Sequence, residues 1–338
     1  MSEKKIRTAV IGAGKMGQIH AKVYHHLPQS RLTAVVDVEE KKAKHLANKY
    51  KCDYFTDCSE ILDKVDAVTI AAPTMFHKAL AEPFIECGVA CLIEKPLALN
   101  VVQAQEIVAL AEKNNVTVAV GHSERCNPVI QAVKRLNIEV RFIESHRISP
   151  YPFRSTDIGV VMDVMIHDID IILSLAASEI KKVDAVGIGV IDPEREDICN
   201  ARIEFENGCV ANVIASRVAL KTERKVRVFS KQAYLSLDYF KKTGTIIKAD
   251  TDNIEVLERI RKLKNTGKFG LLTAGWTDLV HHEKLQIDDK EPLRVEQESF
   301  LKSVADKSLR PEATAREGLA AMQCAQMVLE SIKQHKWQ

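Results

Sequence analysis

The sequence predicts an α/β domain with a doubly wound parallel sheet, followed by an α+β domain whose sheet is largely antiparallel. Three observations carry this. Apolar β-rich runs alternate with helical patterns from Lys5 to Val120. The first run ends in a glycine-rich turn that opens a helix. From Lys182 onward, β runs follow one another without helices between them. The character changes near Gly121, so domains are expected at 1–121 and 122–338, with the C-terminal helices able to pack back on the first.

The elements are read in order. Ile6 to Ile11 is a strand, and Leu32 to Asp37 a second one after the intervening helix. A charged helix from Glu39 to Lys49 puts Ala43, Leu46 and Ala47 on one side. Tyr54-Phe55 is a short strand, and Ser59 or Asp57 caps the short helix that begins at Cys58. The unbroken apolar run Val65 to Ala72 suits a strand buried on both faces. Pro73 to His77 follows, then a helix to about Cys87 that stops at Gly88, and Val89 to Ile93 is the next strand. A helix over Val101–Lys113 leads to the strand Thr117–Val120. Beyond Gly121 come a helix over Val129–Leu136, a strand over Val140–Ile148, a loop to Asp157 and an unusual helix over Val160–Leu175. Then follow β runs Val183–Ile191, Asn200–Glu206, Cys209–Arg217, Arg224–Ser230 and Tyr234–Tyr239, with Asn207-Gly208 as a hairpin turn. Residues 252–290 match no pattern, and Val295 to Ile332 reads as helical.

The bulk composition excludes several classes. The chain has 338 residues, 46% hydrophobic and 28% charged, with a formal net charge of +2. No basic field argues for nucleic acid or a membrane surface. No apolar run reaches the roughly 18 residues that span a bilayer, and the charged start runs straight into a strand rather than a signal peptide. The 8 cysteines form no CxxC and no zinc spacing with histidine, so neither a metal nor disulfides are expected, and the compartment is read as cytoplasmic.

The first turn reads Gly12-Ala13-Gly14-Lys15-Met16-Gly17, and Asp37 closes the second strand 37 − 17 = 20 positions on. That is the roughly 20-residue spacing of a dinucleotide site in a Rossmann domain. Gly12 allows the tight turn, Gly14 lets a pyrophosphate approach, and Gly17 lets the helix pack closely. The helix N-terminus offers unpaired N–H groups and partial positive charge. Asp37 can accept from both ribose hydroxyls and would repel a 2′-phosphate, which favours NAD over NADP.

Two further stretches can carry chemistry. The helix Val160–Leu173 is apolar all round yet holds Asp163, His167 and Asp170 at i, i+4 and i+7, on one face. A carboxylate one turn from His167 can fix its tautomer and suit it to accept a proton. Glu94-Lys95-Pro96 ends a parallel strand, on the edge where such sheets bind ligands, and a Lys95 ammonium there could favour an alkoxide.

Gly12-x-Gly14-x-x-Gly17, Ala72-Pro73-Thr74 with His77, Glu94-Lys95-Pro96 and Asp163-x-x-x-His167-x-x-Asp170 together resemble the Gfo/Idh/MocA family of sugar and polyol oxidoreductases, across essentially the whole chain. The resemblance implies that Lys95, Asp163 and His167 form the catalytic group. It also implies that Ala72, Pro73, Thr74 and His77 lie along the cofactor, with Lys15, Met16, Glu94 and Lys95 beside it. Met165 stands where many members have glycine, which implies a narrower pocket. The loops 121–128, 145–150 and 154–157 resemble a nucleotide-sugar subgroup that oxidises UDP-N-acetylglucosamine for lipid A synthesis. They offer Glu124, Arg125, Asn127, Arg147 and Arg154 as substrate contacts, the arginines being suited to a diphosphate. The expected activity is NAD-dependent oxidation of a sugar's secondary hydroxyl to a 3-keto sugar. The rivals are oxidation of a free polyol and a catalytically silent NAD-binding regulator. A homodimer or homotetramer is expected.

Overall fold

A computed structural model describes residues 5–151, 158–231, 233–248 and 282–335, so Arg154 lies outside the described residues. The chain divides into two compact units. One comprises Met1–Cys126 and Lys290–Gln326, the other Asn127–Asp289 and Met327–Gln338.

The first unit begins with β1 (Ile6–Ile11), α1 (Lys15–His26), β2 (Ser30–Val36), α2 (Glu40–Tyr50) and β3 (Asp53–Phe55). It continues with β4 (Ala67–Ile70), α3 (His77–Glu86), β5 (Ala90–Glu94), α4 (Val101–Lys113) and β6 (Val118–Gly121). The strand order is β3-β2-β1-β4-β5-β6, and every pairing is parallel. The order reverses between β1 and β4, which creates the switch point where such sheets bind ligands at their carboxyl ends. All four residues of β4 are buried, as an unbroken apolar strand with both faces covered should be. Asp57 accepts from the Ser59 N–H at 2.9 Å and so caps the turn after β3. Asn100 does the same for α4 through the Gln103 N–H.

The second unit holds α5 (Pro128–Lys134), β7 (Val140–Ile148), a π-helical turn over Val161–Met165 and α6 (Ile166–Ala176). Then come β8 (Ile180–Ile188), β9 (Ile198–Phe205), β10 (Val210–Ser216), β11 (Glu223–Ser230), β12 (Ala233–Asp238), β13 (Thr243–Lys248) and β14 (His282–Lys284). Among the described residues these form one sheet in the order β14-β13-β12-β11-β7-β10-β9-β8. Only the β7–β10 pairing is parallel, so the sheet is largely antiparallel as the sequence predicts. The β9–β10 hairpin turns at Asn207-Gly208, with Gly208 at φ +81°. The helix expected over Val160–Leu175 is not uniform. Its first part is wound as a π-turn, and α6 proper ends at Ala177 in the left-handed region.

The helical stretch expected over Val295–Ile332 is two helices, α7 (Pro292–Ala305) and α8 (Ala315–Gln334). Asp306 ends the first by accepting from the Ser308 N–H. The linking segment then lies along the open edge of β6, where Val120 N–H donates to Ala313 O at 3.0 Å. An edge strand's unpaired groups thus outweigh continued helix. Leu293, Phe300 and Leu301 of α7 join Val23 and Tyr24 of α1, and Leu27 just past its end, in the first unit's apolar core. No helix among the described residues is long and apolar enough to cross a membrane.

Candidate dinucleotide and catalytic residues

The glycine turn follows β1 and leads into α1. Gly12 has φ +97°, and a Cβ there would sit 2.6 Å from Ala71 O at the end of β4. A Cβ on Gly17 would sit 1.7 Å from Gly12 O, so α1 rests directly on the turn's own backbone. Gly14 differs, because a Cβ there would meet nothing within 4 Å. Sterics inside the protein demand glycine at 12 and 17, whereas Gly14 faces open space. α1 has no side-chain cap and no acid in its first turn, so among the described residues no side chain caps its leading N–H groups. Lys15 and Met16 are exposed beside them. Asp37 accepts from the Ala13 N–H at 2.6 Å through Oδ2 and from the Glu39 N–H at 2.8 Å through Oδ1. A carboxylate has about four lone-pair sites, so Asp37 can brace the turn and still accept from ribose hydroxyls. The residues present fit a dinucleotide: an open glycine, an uncapped helix start and a fixed acid.

Two more loops lie at the carboxyl ends of adjacent strands. After β4, Ala72 and Thr74 are half-buried and Pro73 is exposed. His77 is buried, with Nε2 2.9 Å from Ala72 O and Nδ1 3.0 Å from Pro96 O. It ties the β4 loop to the β5 loop, and burial holds its imidazole below the ordinary pKa despite those two carbonyls. After β5, Glu94 and Lys95 are half-buried and the Lys95–Pro96 peptide is cis. Glu94 Oε1 lies 2.7 Å from His20 Nε2, and Oε2 accepts from the Lys95 N–H at 3.2 Å. Burial alone would raise the Glu94 carboxyl, yet the His20 hydrogen bond and the Lys95 N–H and ammonium hold it below its usual range.

In the second unit Asp163 sits in the π-turn and His167 one turn on in α6, both half-buried. π-Turns concentrate at functional sites. This one is anchored at its start: Val160 N–H donates to Glu196 O at 2.8 Å and Val161 N–H to Glu196 Oε1 at 3.0 Å. Gly159 makes room for that carboxylate, since a Cβ there would lie 2.0 Å from Glu196 Oε1. Arg147 on β7 grips buried Asp168 with both arms, Nε to Oδ2 at 2.6 Å and Nη2 to Oδ1 at 3.2 Å. The face that carries His167 is therefore fixed by a buried ion pair behind it. Met165 is fully buried.

The expected sugar-nucleotide residues divide. Arg125 is 2% exposed and donates to Glu317 Oε1 at 2.7 Å and to Glu312 O at 3.1 Å, within the first unit. Arg147 is engaged by Asp168, and Asn127 caps α5 through the Val129 N–H. Glu124 is half-buried in the 3₁₀ turn Ser123–Cys126. Sequence reasoning passes over His20, Gln297 and Glu196. A histidine three residues past Gly17, on the inward side of α1, is the one legible sign of the first.

Family models match both parts of the chain. Residues 6–122 match "Oxidoreductase family, NAD-binding Rossmann fold" and residues 133–236 match "GFO/IDH/MocA C-terminal domain". The chain is 37% identical to a UDP-N-acetylglucosamine 3-dehydrogenase of Acidithiobacillus ferrooxidans over 70% of its length and 75% of that protein's. The solved structure of that organism's enzyme superposes with a TM-score of 0.85 at 30% identity, covering 98% of each chain. An inositol 2-dehydrogenase of Rhizobium meliloti is 29% identical over 55% of this chain and 60% of its own.

Proposed function

We propose that this chain, which belongs to the Gfo/Idh/MocA oxidoreductase family, oxidises the 3-hydroxyl of a nucleotide sugar such as UDP-N-acetylglucosamine to a 3-keto sugar. It is an NAD-dependent dehydrogenase of CH–OH groups; the sugar and the residue roles are the proposed part. The sugar rests on one observation, the 30% identity to the UDP-N-acetylglucosamine 3-dehydrogenase structure over 98% of both chains.

Gly12, Gly14, Gly17 and Asp37 would hold NAD, which when bound supplies the two-electron acceptor for the C–H bond that breaks. The chain's own residues handle the proton and the charge. His167 takes the hydroxyl proton, and Asp163 one turn away orients its imidazole. The Lys95 ammonium stabilises the negative charge growing on the substrate oxygen. Glu124 and Asn127 are the candidates to read a sugar hydroxyl or amide, and Arg125, Arg147 and Arg154 the candidates to meet a diphosphate. The expected cytoplasmic homo-oligomer goes with this reading; light scattering on the purified protein reads the oligomeric state.

The test supplies NAD with UDP-N-acetylglucosamine or with myo-inositol and follows NADH. The expected kcat/KM for the nucleotide sugar exceeds that for myo-inositol by about a hundredfold or more. The opposite preference would overturn the reading and favour an inositol-type dehydrogenase, which the 29% relative supports.

A further inference from the structure

A buried chain of hydrogen bonds runs through the first unit to Lys95. Gln297 Nε2, on α7, lies 2.8 Å from His20 Nδ1 and 3.3 Å from His20 O. A backbone carbonyl only accepts, so the amide NH₂ end faces it and His20 Nδ1 is an acceptor. The imidazole proton therefore sits on Nε2, which donates to Glu94 Oε1 at 2.7 Å. Glu94 Oε2 in turn receives the Lys95 N–H. His20 and Gln297 are both fully buried, so water cannot substitute for either partner.

A second observation, independent of these bonds, shows that the site is shaped for the Glu94 carboxylate. Gly121 on β6 stands in register opposite Glu94. A Cβ there would lie 3.1 Å from Glu94 Cα, Cδ and Oε2. The side chain occupies the room that the missing methyl leaves.

We propose that Gln297, His20 and Glu94 are a positioning array for Lys95: His20 holds the Glu94 carboxylate against Gly121, and Glu94 fixes the Lys95 backbone from which the ammonium is presented. Because His20 rides on α1, the helix whose first turn faces the dinucleotide is joined to the lysine's support by one hydrogen bond. The kinetic consequence rests on the role given to Lys95 above; the placement of Lys95 does not.

The test compares the parent protein with His20→Phe, His20→Gln, Gly121→Ala and Lys95→Ala. Without substrate, acetic anhydride labelling of Lys95 relative to the other lysines is read by mass spectrometry. His20→Phe and Gly121→Ala are expected to change it by about threefold or more, as a group loses its fixed partner. His20→Gln, whose amide N–H can replace the Nε2 proton, stays near the parent. With NAD and UDP-N-acetylglucosamine, His20→Phe and Gly121→Ala lose about tenfold to a hundredfold in kcat. KM and NADH affinity stay within about threefold, and His20→Gln recovers most of the kcat. Unchanged Lys95 labelling in His20→Phe, or equal defects in His20→Phe and His20→Gln, would overturn the array. Should His20→Phe fail to fold, Gly121→Ala reads the same displacement. Parental turnover by Lys95→Ala would instead overturn the role of Lys95, while the labelling still decides whether the array positions it.

Discussion

The glycine turn of the first unit and the histidine helix of the second both hold functional groups still, by opposite means. The turn works by leaving side chains out: at 12 and 17 a single methyl would collide with backbone, and at 14 it would fill open space. The helix works by putting charge in: Arg147 on Asp168 behind the His167 face, Glu196 on the π-turn's first N–H groups. Omission is local and written in consecutive residues, whereas an ion pair joins residues far apart in the chain. Damage to the two should therefore separate cleanly, the first in dinucleotide affinity and the second in turnover.

The largest expected effect comes from breaking the buried pair. Arg147→Met strands the Asp168 carboxylate, and the chain should lose about 3–5 kcal/mol in chemical denaturation. Adding Asp168→Leu should recover most of that loss, because no uncompensated charge remains. The double variant should bind NADH as the parent does while turning over more slowly. Gly17→Ala comes next. A Cβ 1.7 Å from a carbonyl oxygen forces the turn apart, so NADH affinity should fall by about a hundredfold, read by fluorescence titration. If Gly17→Ala bound NADH normally while Arg147→Met did not, the division of labour would be refuted.

Glu317 sharpens the contrast, because, like Glu94, it is a built-in charge in the unit that carries the glycine turn. Burial would raise its carboxyl, but Arg125 and the Thr314 N–H pull it from 4.5 to about 2. The folded value is depressed, so the stabilisation is full above the ordinary value and is lost as pH falls from about 5 through 2. The side chain is 29% exposed, so solvent screening leaves an expected contribution of about 2 kcal/mol. Glu317→Gln should lose that much at neutral pH and flatten the acid limb of a stability–pH curve. The smallest structural effect belongs to Gly14→Ala. With space around the new methyl, thermal stability should stay within about 0.5 kcal/mol. NADH affinity should still fall by about tenfold, or about 1.4 kcal/mol.

What could be read from the sequence follows the same contrast. The glycine turn, Asp37, the Asp57 cap and the Asn207-Gly208 hairpin are short-range patterns with one physical meaning each, and the structure has all of them. Asp163 and His167 could be picked out as an acid and an imidazole in an apolar helix, but the anchoring of the π-turn could not, because its first N–H groups are held by Glu196, 33 residues beyond Asp163 (196 − 163). Arg125 and Arg147 looked suited to a diphosphate because a sequence does not show that Glu317 and Asp168 face them. The break in the C-terminal helix was hidden for the same reason, since the edge of β6 that captures Ala313 lies nearly two hundred residues earlier. Gln297, 277 positions from His20, left no trace.

In the proposed reaction Lys95 and His167 carry the chemistry on a nucleotide sugar while the glycine turn holds NAD. One measurement tests it most directly: single-turnover NADH formation from UDP-N-acetylglucosamine by the parent, Lys95→Ala and His167→Ala, each saturated with NAD. Formation by the parent and a loss of about a hundredfold or more in each variant are expected. Parental rates in both variants would contradict it.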